Sequence, residues 1–264
     1  MQKDSKASIF MVYRMLANTI KKLIYKDVNK MSNLPGINAS WVSNKVDLND
    51  IYKLRYNVMV RDVKQNPFPA SHYCIHGDEF RDAYDELPTT HHYLIRKNGV
   101  AIASHRLING NHTIFEIEKY KWFDIRYNLS TSHTNVNNIV EPTRVVACRS
   151  VRGKYYTQLM LTASFLRIHD DKYESIIGVI NADAKPLINH YTKFMPSLYW
   201  VSREKFAVPE FILGRYCQAL NLYVGTTEKE RDVFIYNTIL PCFLMYKSAY
   251  LMDLIKTQLS RINK

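Results

Sequence analysis

The chain has 264 residues, 47% of them hydrophobic and 23% charged, with a formal net charge of +12 and a pI near 9.4. That length suits one elaborated domain with extensions better than two equal halves. With no Gly-X-Y repeat, no low-complexity tract and no uninterrupted apolar run near the ~20 residues of a membrane span, composition argues against collagen, disorder and an integral membrane protein.

The charge is unevenly placed: residues 1–30 carry +5 and residues 243–264 carry +3, which leaves +4 for the whole body between them. Such an excess fits nucleic acid, an anionic membrane surface or an acidic protein partner. The basic residues are not gathered into a motif with interleaved aromatics and the 19 tyrosines are scattered, so no nucleic-acid partner is expected. Cys74, Cys148, Cys217 and Cys242 are far apart, which predicts reduced thiols in a cytoplasmic protein and no metal site. The apolar stretch near the N-terminus is broken by Arg14 and is not a convincing signal peptide.

In chain order, Ile9, Val12, Leu16, Ile20 and Leu23 recur at helical spacing, with Arg14, Asn18, Lys21, Lys22 and Tyr25 on the other side. This is a basic amphipathic helix, packed on the domain or docked to a membrane surface or partner. Leu34-Pro35-Gly36 ends it, and the organisation expected is an N-terminal extension over 1–35, a domain over 36–242 and a C-terminal helix over 243–264. A helix is predicted from Asp50, an irregular loop from Gln65 to Pro88, then a hairpin of 92–96 and 100–107 about Asn98-Gly99. A polar loop over 128–138 leads to a strand at 139–148, a helix at 154–168, a strand at 175–180 and a helix at 184–194. Weaker strands are expected at 199–201 and 220–224, and a last helix at 238–257 with Pro241 near its start. The class is α/β with a mixed sheet.

Ordered along these elements are Leu54-Arg55 in the first domain helix, Asp82-Ala-Tyr-Asp85 in the loop, His91-His92 opening the hairpin, Gly99 with Arg106 on its second strand, and Glu141-Pro-Thr-Arg144-Val-Val on the next strand. This series resembles the acyl-homoserine-lactone (autoinducer) synthases and, more closely, the N-acyl amino acid synthases of the Gcn5-related N-acetyltransferase superfamily, across about residues 50–195. Thr143 stands where the family motif has Ser. The resemblance implies a mostly antiparallel central sheet flanked by helices and the transfer of a fatty acyl group from a thioester to the α-amine of an amino acid or related amine. It implies Glu141 and Arg144 as catalytic residues, and Arg55, Asp82, Asp85, His92 and Arg106 as the acceptor pocket.

The superfamily's coenzyme A loop, R/Q-x-x-G-x-G/A, is absent, because Arg149-Ser-Val-Arg-Gly-Lys154 has a single glycine where close approach of a pyrophosphate to backbone N–H groups needs two. The donor implied is therefore an acyl carrier protein with its phosphopantetheine arm, acyl-coenzyme A being the alternative, and no cofactor is bound permanently. Arg149, Arg152 and Lys154 are candidates for docking the acidic carrier. Leu159, Ala163 and Leu166 are candidates for an acyl tunnel, although the same pattern makes an ordinary core. Glu141 and Arg144 face opposite sides of a uniform strand, so a bulge or strand start must separate them if both serve one site. The competing functions are a lactone synthase using S-adenosylmethionine, a coenzyme A-dependent acetyltransferase and a non-catalytic basic binding module. The N-terminal helix is a candidate for peripheral contact with the inner membrane surface.

Overall fold

The computed structural model of the chain describes residues 2–61, 75–110, 136–152, 154–181, 198–200, 206–207 and 216–262. Helix α1 (Gln2–Ser32) ends at the Leu34-Pro35-Gly36 break, where Gly36 takes φ 77° and any Cβ would collide with the Asn98 side chain. Strand β1 (Ile37–Trp41) follows, which the sequence did not signal. Helix α2 (Lys45–Tyr56) starts earlier than Asp50 because Asn44 caps it, its side chain accepting from Asp47 N at 2.9 Å, and it runs on into a π-helical turn, Asn57–Arg61. The region expected to be irregular holds a small hairpin of β2 (Ile75–His76) and β3 (Glu79–Phe80).

Strands β4 (Thr90–Lys97) and β5 (Val100–Asn109) form the expected hairpin, with Asn98 at φ 51° and Gly99 at φ 80°, the two positive angles that a tight hairpin turn requires. Next come β6 (Ile139–Ala147), a 3₁₀ turn at Arg149–Val151, α3 (Tyr156–Asp170) and β7 (Ser175–Asn181). The expected helix at 184–194 and most of the expected polar loop lie outside the described residues. Strands β8 (Leu198–Trp200), β9 (Phe206–Ala207) and β10 (Tyr216–Tyr223) complete the sheet, whose order is β1-β4-β5-β6-β7-β10-β8 with β9 on β10. Every pairing is antiparallel except β6 with β7, so the sheet is mixed and mostly antiparallel.

The C-terminal helical run begins ten residues before the expected Thr238. Thr227 and Glu230 form a reciprocal capping box that opens α4 (Glu228–Phe234), which continues through a π-helical turn, Ile235–Ile239, into α5 (Leu240–Ile262). Pro241 is thus well inside a helical run. The widened turn before it, in which Leu240 N–H bonds Ile235 O, accommodates a ring that would clash in a regular helix. By length and composition alone the stretch Glu228–Ser260 could cross a membrane, a property that a search for uninterrupted apolar runs overlooks.

Helices α1, α3 and α5 cover one face of the sheet and α2 the other. The main core joins Ala17, Ile24 and Val28 of α1, Leu159 and Leu166 of α3, and Cys242 and Tyr246 of α5 to Tyr93, Ile95, Leu107 and Val140 of the sheet. The inward side of α1 is therefore Ala17, Ile24, Val28 and Met31, whereas Val12, Leu16 and Leu23 of the stripe read from sequence are exposed. Cys148 and Cys242 are free thiols, and burial pushes that of Cys242 up to about 12.

Candidate active site

The opposite face gathers the charged residues. Ile51, Tyr52 and Leu54 seat α2 against Leu94 and Val146, and this packing carries Arg55 into the interior with 0% exposure. The Asp82–Asp85 turn is fixed by its own side chains: Asp82 N–H donates to Asp85 Oδ2 and Tyr84 N–H donates to Asp82 Oδ1, each at 2.9 Å. Sheet register does the rest, because residues directly opposite in neighbouring strands share a face. His92 is opposite Arg106, and Arg106 is opposite Thr143.

Three guanidinium groups and two carboxylates alternate. Arg55 Nη1 donates to Asp85 Oδ1 at 2.7 Å; Arg106 Nη1 donates to the same oxygen at 2.8 Å and to Asp82 Oδ1 at 2.5 Å; Arg106 Nη2 and Arg144 Nη2 both reach Asp82 Oδ2, at 3.1 and 2.9 Å. Arg106 Nε donates to Thr143 Oγ1 at 2.8 Å. Two aromatic rings cover the cations, Tyr84 beneath Arg106 and Phe80 beneath Arg144, at 5.5 and 5.3 Å to the ring centres.

Burial alone would raise both carboxyls, but the guanidinium groups outweigh it: Arg106 and Arg144 hold Asp82, and Arg55 and Arg106 hold Asp85, well below the usual carboxylate range. His92 is lowered to about 4, first by burial and then by Arg55. Its neutral tautomer follows from its partners, since a carbonyl only accepts and a guanidinium only donates: Nε2–H donates to Asp85 O at 3.1 Å and Nδ1 accepts from Arg55 Nη2 at 3.3 Å.

Glu141 is buried and pairs across the sheet with Ile108, two residues along β6 from Thr143 and on the same face. Arg144 joins it through a bulge, one of the two irregularities that the sequence left open. Between the pairs Ser104↔Val146 and Arg106↔Thr143, His105 alone faces Arg144 and Val145, and Arg144 adopts φ 52°. A non-glycine residue in the left-handed region costs about 1–2 kcal/mol, which the pairing to Asp82 helps to offset. Beside Glu141 the sheet opens. β6 and β7 pair only through Ile139↔Ser175 and Val140↔Ile176, and from Glu141 onward no ladder joins them among the described residues.

The structure thus brings together Arg55, Asp82, Asp85, His92, Arg106, Arg144 and, on the same sheet face, Glu141. Leu159, Ala163 and Leu166 are buried in the apolar core on the far side of the sheet. Arg149, Arg152 and Lys154 lie between the end of β6 and α3; Arg149 is in the 3₁₀ turn rather than in a helix, and Arg152 Nε donates back to Ala147 O at 3.0 Å. Sequence reasoning did not single out Thr143, Tyr84 or Phe80 for the site. The signal for Thr143 was its place at the motif's Ser, a hydroxyl for a hydroxyl. Among the described residues no cluster of His, Cys, Asp and Glu could hold a metal ion.

The fold is the Gcn5-related N-acetyltransferase-like fold found in acyl-homoserine lactone synthases and in an N-acyl amino acid synthase. The solved structures that share it include MesI, a CoA-dependent acyl-homoserine lactone synthase, at 13% identity and a TM-score of 0.54 over 79% of this chain and 95% of that one. They also include the lactone synthase LasI, at 12% identity and 0.53 over 76% and 95%, and FeeM, an N-acyl amino acid synthase from uncultured soil microbes, at 9% identity and 0.54 over 78% and 97%. No family model matches the chain and no curated protein matches it.

Proposed function

We propose that this protein is an N-acyltransferase that moves a fatty acyl group from the phosphopantetheine thioester of an acyl carrier protein to the α-amine of an amino acid or related amine. The observation that carries this reading is Glu141, buried on the charged face at the point where β6 and β7 cease to pair. An extended thioester arm fits between two strands that share no ladder there among the described residues. The amine nitrogen attacks the thioester carbonyl, the tetrahedral intermediate expels the carrier thiolate, and the C–N bond of an amide replaces the C–S bond. An ammonium has no lone pair, so its proton must first leave, and Glu141 is the base that takes it, directly or through water, and returns a proton to the departing sulfur. Arg55, Asp82, Asp85, His92, Arg106 and Arg144 shape the acceptor pocket, where Arg can hold a carboxylate and Asp an ammonium.

Two further features support the donor assignment. The turn before α3 buries Val151, and its sequence has one glycine where a pyrophosphate cradle uses two. Arg149, Arg152 and Lys154 there present cations to an acidic carrier. The acyl chain passes through the opening between β6 and β7 toward Leu159, Ala163 and Leu166. The runner-up is lactone synthesis from S-adenosylmethionine, favoured by the shared fold of MesI and LasI.

The test offers the purified protein acyl groups of several lengths, on carrier protein or on coenzyme A, with a panel of amino acids or S-adenosylmethionine, and follows thiol release and product mass. An N-acyl amino acid made from the carrier donor is expected. A lactone formed only with S-adenosylmethionine, or no thiol release with any pair, overturns the proposal.

A further inference from the structure

Helices α1 and α5 lie side by side over the apolar face of the sheet. Tyr236 Oη donates to Tyr13 O at 3.0 Å, and at the other end Tyr246 Oη and Lys247 Nζ donate to Asp27, at 3.3 and 2.8 Å. Each helix turns an apolar stripe inward, through Ala17, Ile24 and Val28 on α1 and through Cys242 and Tyr246 on α5. Each also carries a second apolar surface that the protein leaves uncovered. On α5, Leu244, Leu251, Ile255 and Leu259 follow one another at steps of seven and four, all exposed, on the side of the helix opposite Cys242 and Tyr246. On α1, Met11, Val12, Met15, Leu16 and Leu23 are exposed. A surface helix of a water-facing domain carries polar residues on that side.

Charge identifies what covers this surface. Lys22, Lys26 and Lys30 are exposed along α1, and Lys256 is exposed on α5. The one carboxylate between residues 10 and 32, Asp27, is drawn aside by Tyr246 and Lys247. Apolar side chains flanked by exposed lysines match the acyl and headgroup layers of an anionic bilayer, where lysine stems lie along the apolar zone and their ammonium groups meet lipid phosphates.

We propose that the outward faces of α1 and α5 together form a docking surface for an anionic lipid bilayer. The helices lie in the plane of the interface rather than across it. Spanning would strip α5 of its inner contacts, among them Tyr246 on Asp27 and Cys242 against Thr162. The placement has a consequence for access: Tyr250 packs edge-on against Tyr155 just before α3, at 5.2 Å, so the exposed end of α5 stands beside the turn at 149–155.

The test is flotation of the purified full chain with vesicles of phosphatidylcholine alone or mixed with phosphatidylglycerol, at low and high salt, alongside light scattering without lipid. Flotation with the anionic vesicles is expected, falling roughly tenfold or more on neutral vesicles and in Lys22→Glu/Lys26→Glu/Lys30→Glu. Leu251→Glu/Ile255→Glu/Leu259→Glu should lose binding while keeping its circular dichroism and thermal midpoint, because those side chains are exposed. Absence of flotation, or equal flotation on both vesicle types, overturns the proposal. So does a lipid-free dimer that the leucine-face variant converts to monomer, which would assign the surface to a second copy of the chain.

Discussion

The two faces of the sheet are built from alternate residues of the same strands, and they differ in kind. On the α1, α3 and α5 side, Tyr93, Ile95, Leu107 and Val140 meet aliphatic and aromatic side chains, and burial of apolar area supplies the stability. On the α2 side, His92, Arg106 and Glu141 are as deeply buried, among charges. Ion pairs in such a place barely recover the cost of dehydrating them and are a poor way to hold a domain together. What they do provide is a fixed electrostatic geometry, which suits the acceptor pocket proposed above. Even the histidines divide this way. His92 bridges the charge network, whereas His105, one residue before Arg106, points to the apolar side, lies edge-on to Trp41 and tilted against Tyr93, and donates from Nε2 to Ser164 Oγ at 2.5 Å, the Ser164 hydroxyl itself donating to Met160 O.

The contrast can be broken most severely at Arg106. Arg106→Ala leaves Asp82 and Asp85 buried with half their partners gone, and should cost about 3–5 kcal/mol in denaturant unfolding as well as activity. Arg106→Lys should recover little, since one ammonium cannot serve Asp82, Asp85 and Thr143 at once. On the apolar face Leu166→Ala should cost about 2–5 kcal/mol by leaving a cavity. Activity per folded molecule should survive there, with the preferred acyl chain length shifted, since the proposed path of the acyl chain runs toward that residue.

A third probe is pH. The folded chain holds His92 and His105 at about 4 and 3, burial being the main cause in both, whereas the unfolded chain protonates them near 6.5. The stability this represents is complete above pH 6.5 and is lost as pH falls through 4 toward 3, with Asp82 and Asp85 extending the same trend below pH 4. The thermal midpoint should therefore decline steadily from pH 7 to pH 4, and His105→Gln should flatten that decline. The smallest effect is outside both faces: Thr227→Ala removes the capping box of α4 and should lower stability by about 0.5–2 kcal/mol without touching turnover.

Much of this was legible in the sequence, for identifiable reasons. Asn98-Gly99 announced the hairpin because few residue pairs accept two positive φ angles. Parity along β6 called for a bulge or a strand start between Glu141 and Arg144 if both were to share a face, and the bulge is what the structure has. Strand β1 was not legible: Ile37-Asn-Ala-Ser-Trp41 lacks apolar alternation strong enough to register, and it is a strand because β4 offers it an edge. The start of the last helix was legible in Thr227-x-x-Glu230, but Pro241 drew the boundary too late, since a proline preceded by a π-helical turn is invisible to rules for regular helices. The ordered charges come together in the fold as their order suggested, while the inward side of α1 was misread because its outward side is as apolar as its core side.

The proposed chemistry turns on Glu141 moving the proton of the acylation step on the charged face. Single-turnover thiol release from acyl carrier protein, with saturating amino acid, across pH 5 to 9, tests it most directly when wild type is set against Glu141→Gln. A rate about 10²–10⁴-fold lower is expected in the variant, with acceptor affinity and circular dichroism little changed. An unchanged rate in Glu141→Gln would contradict it.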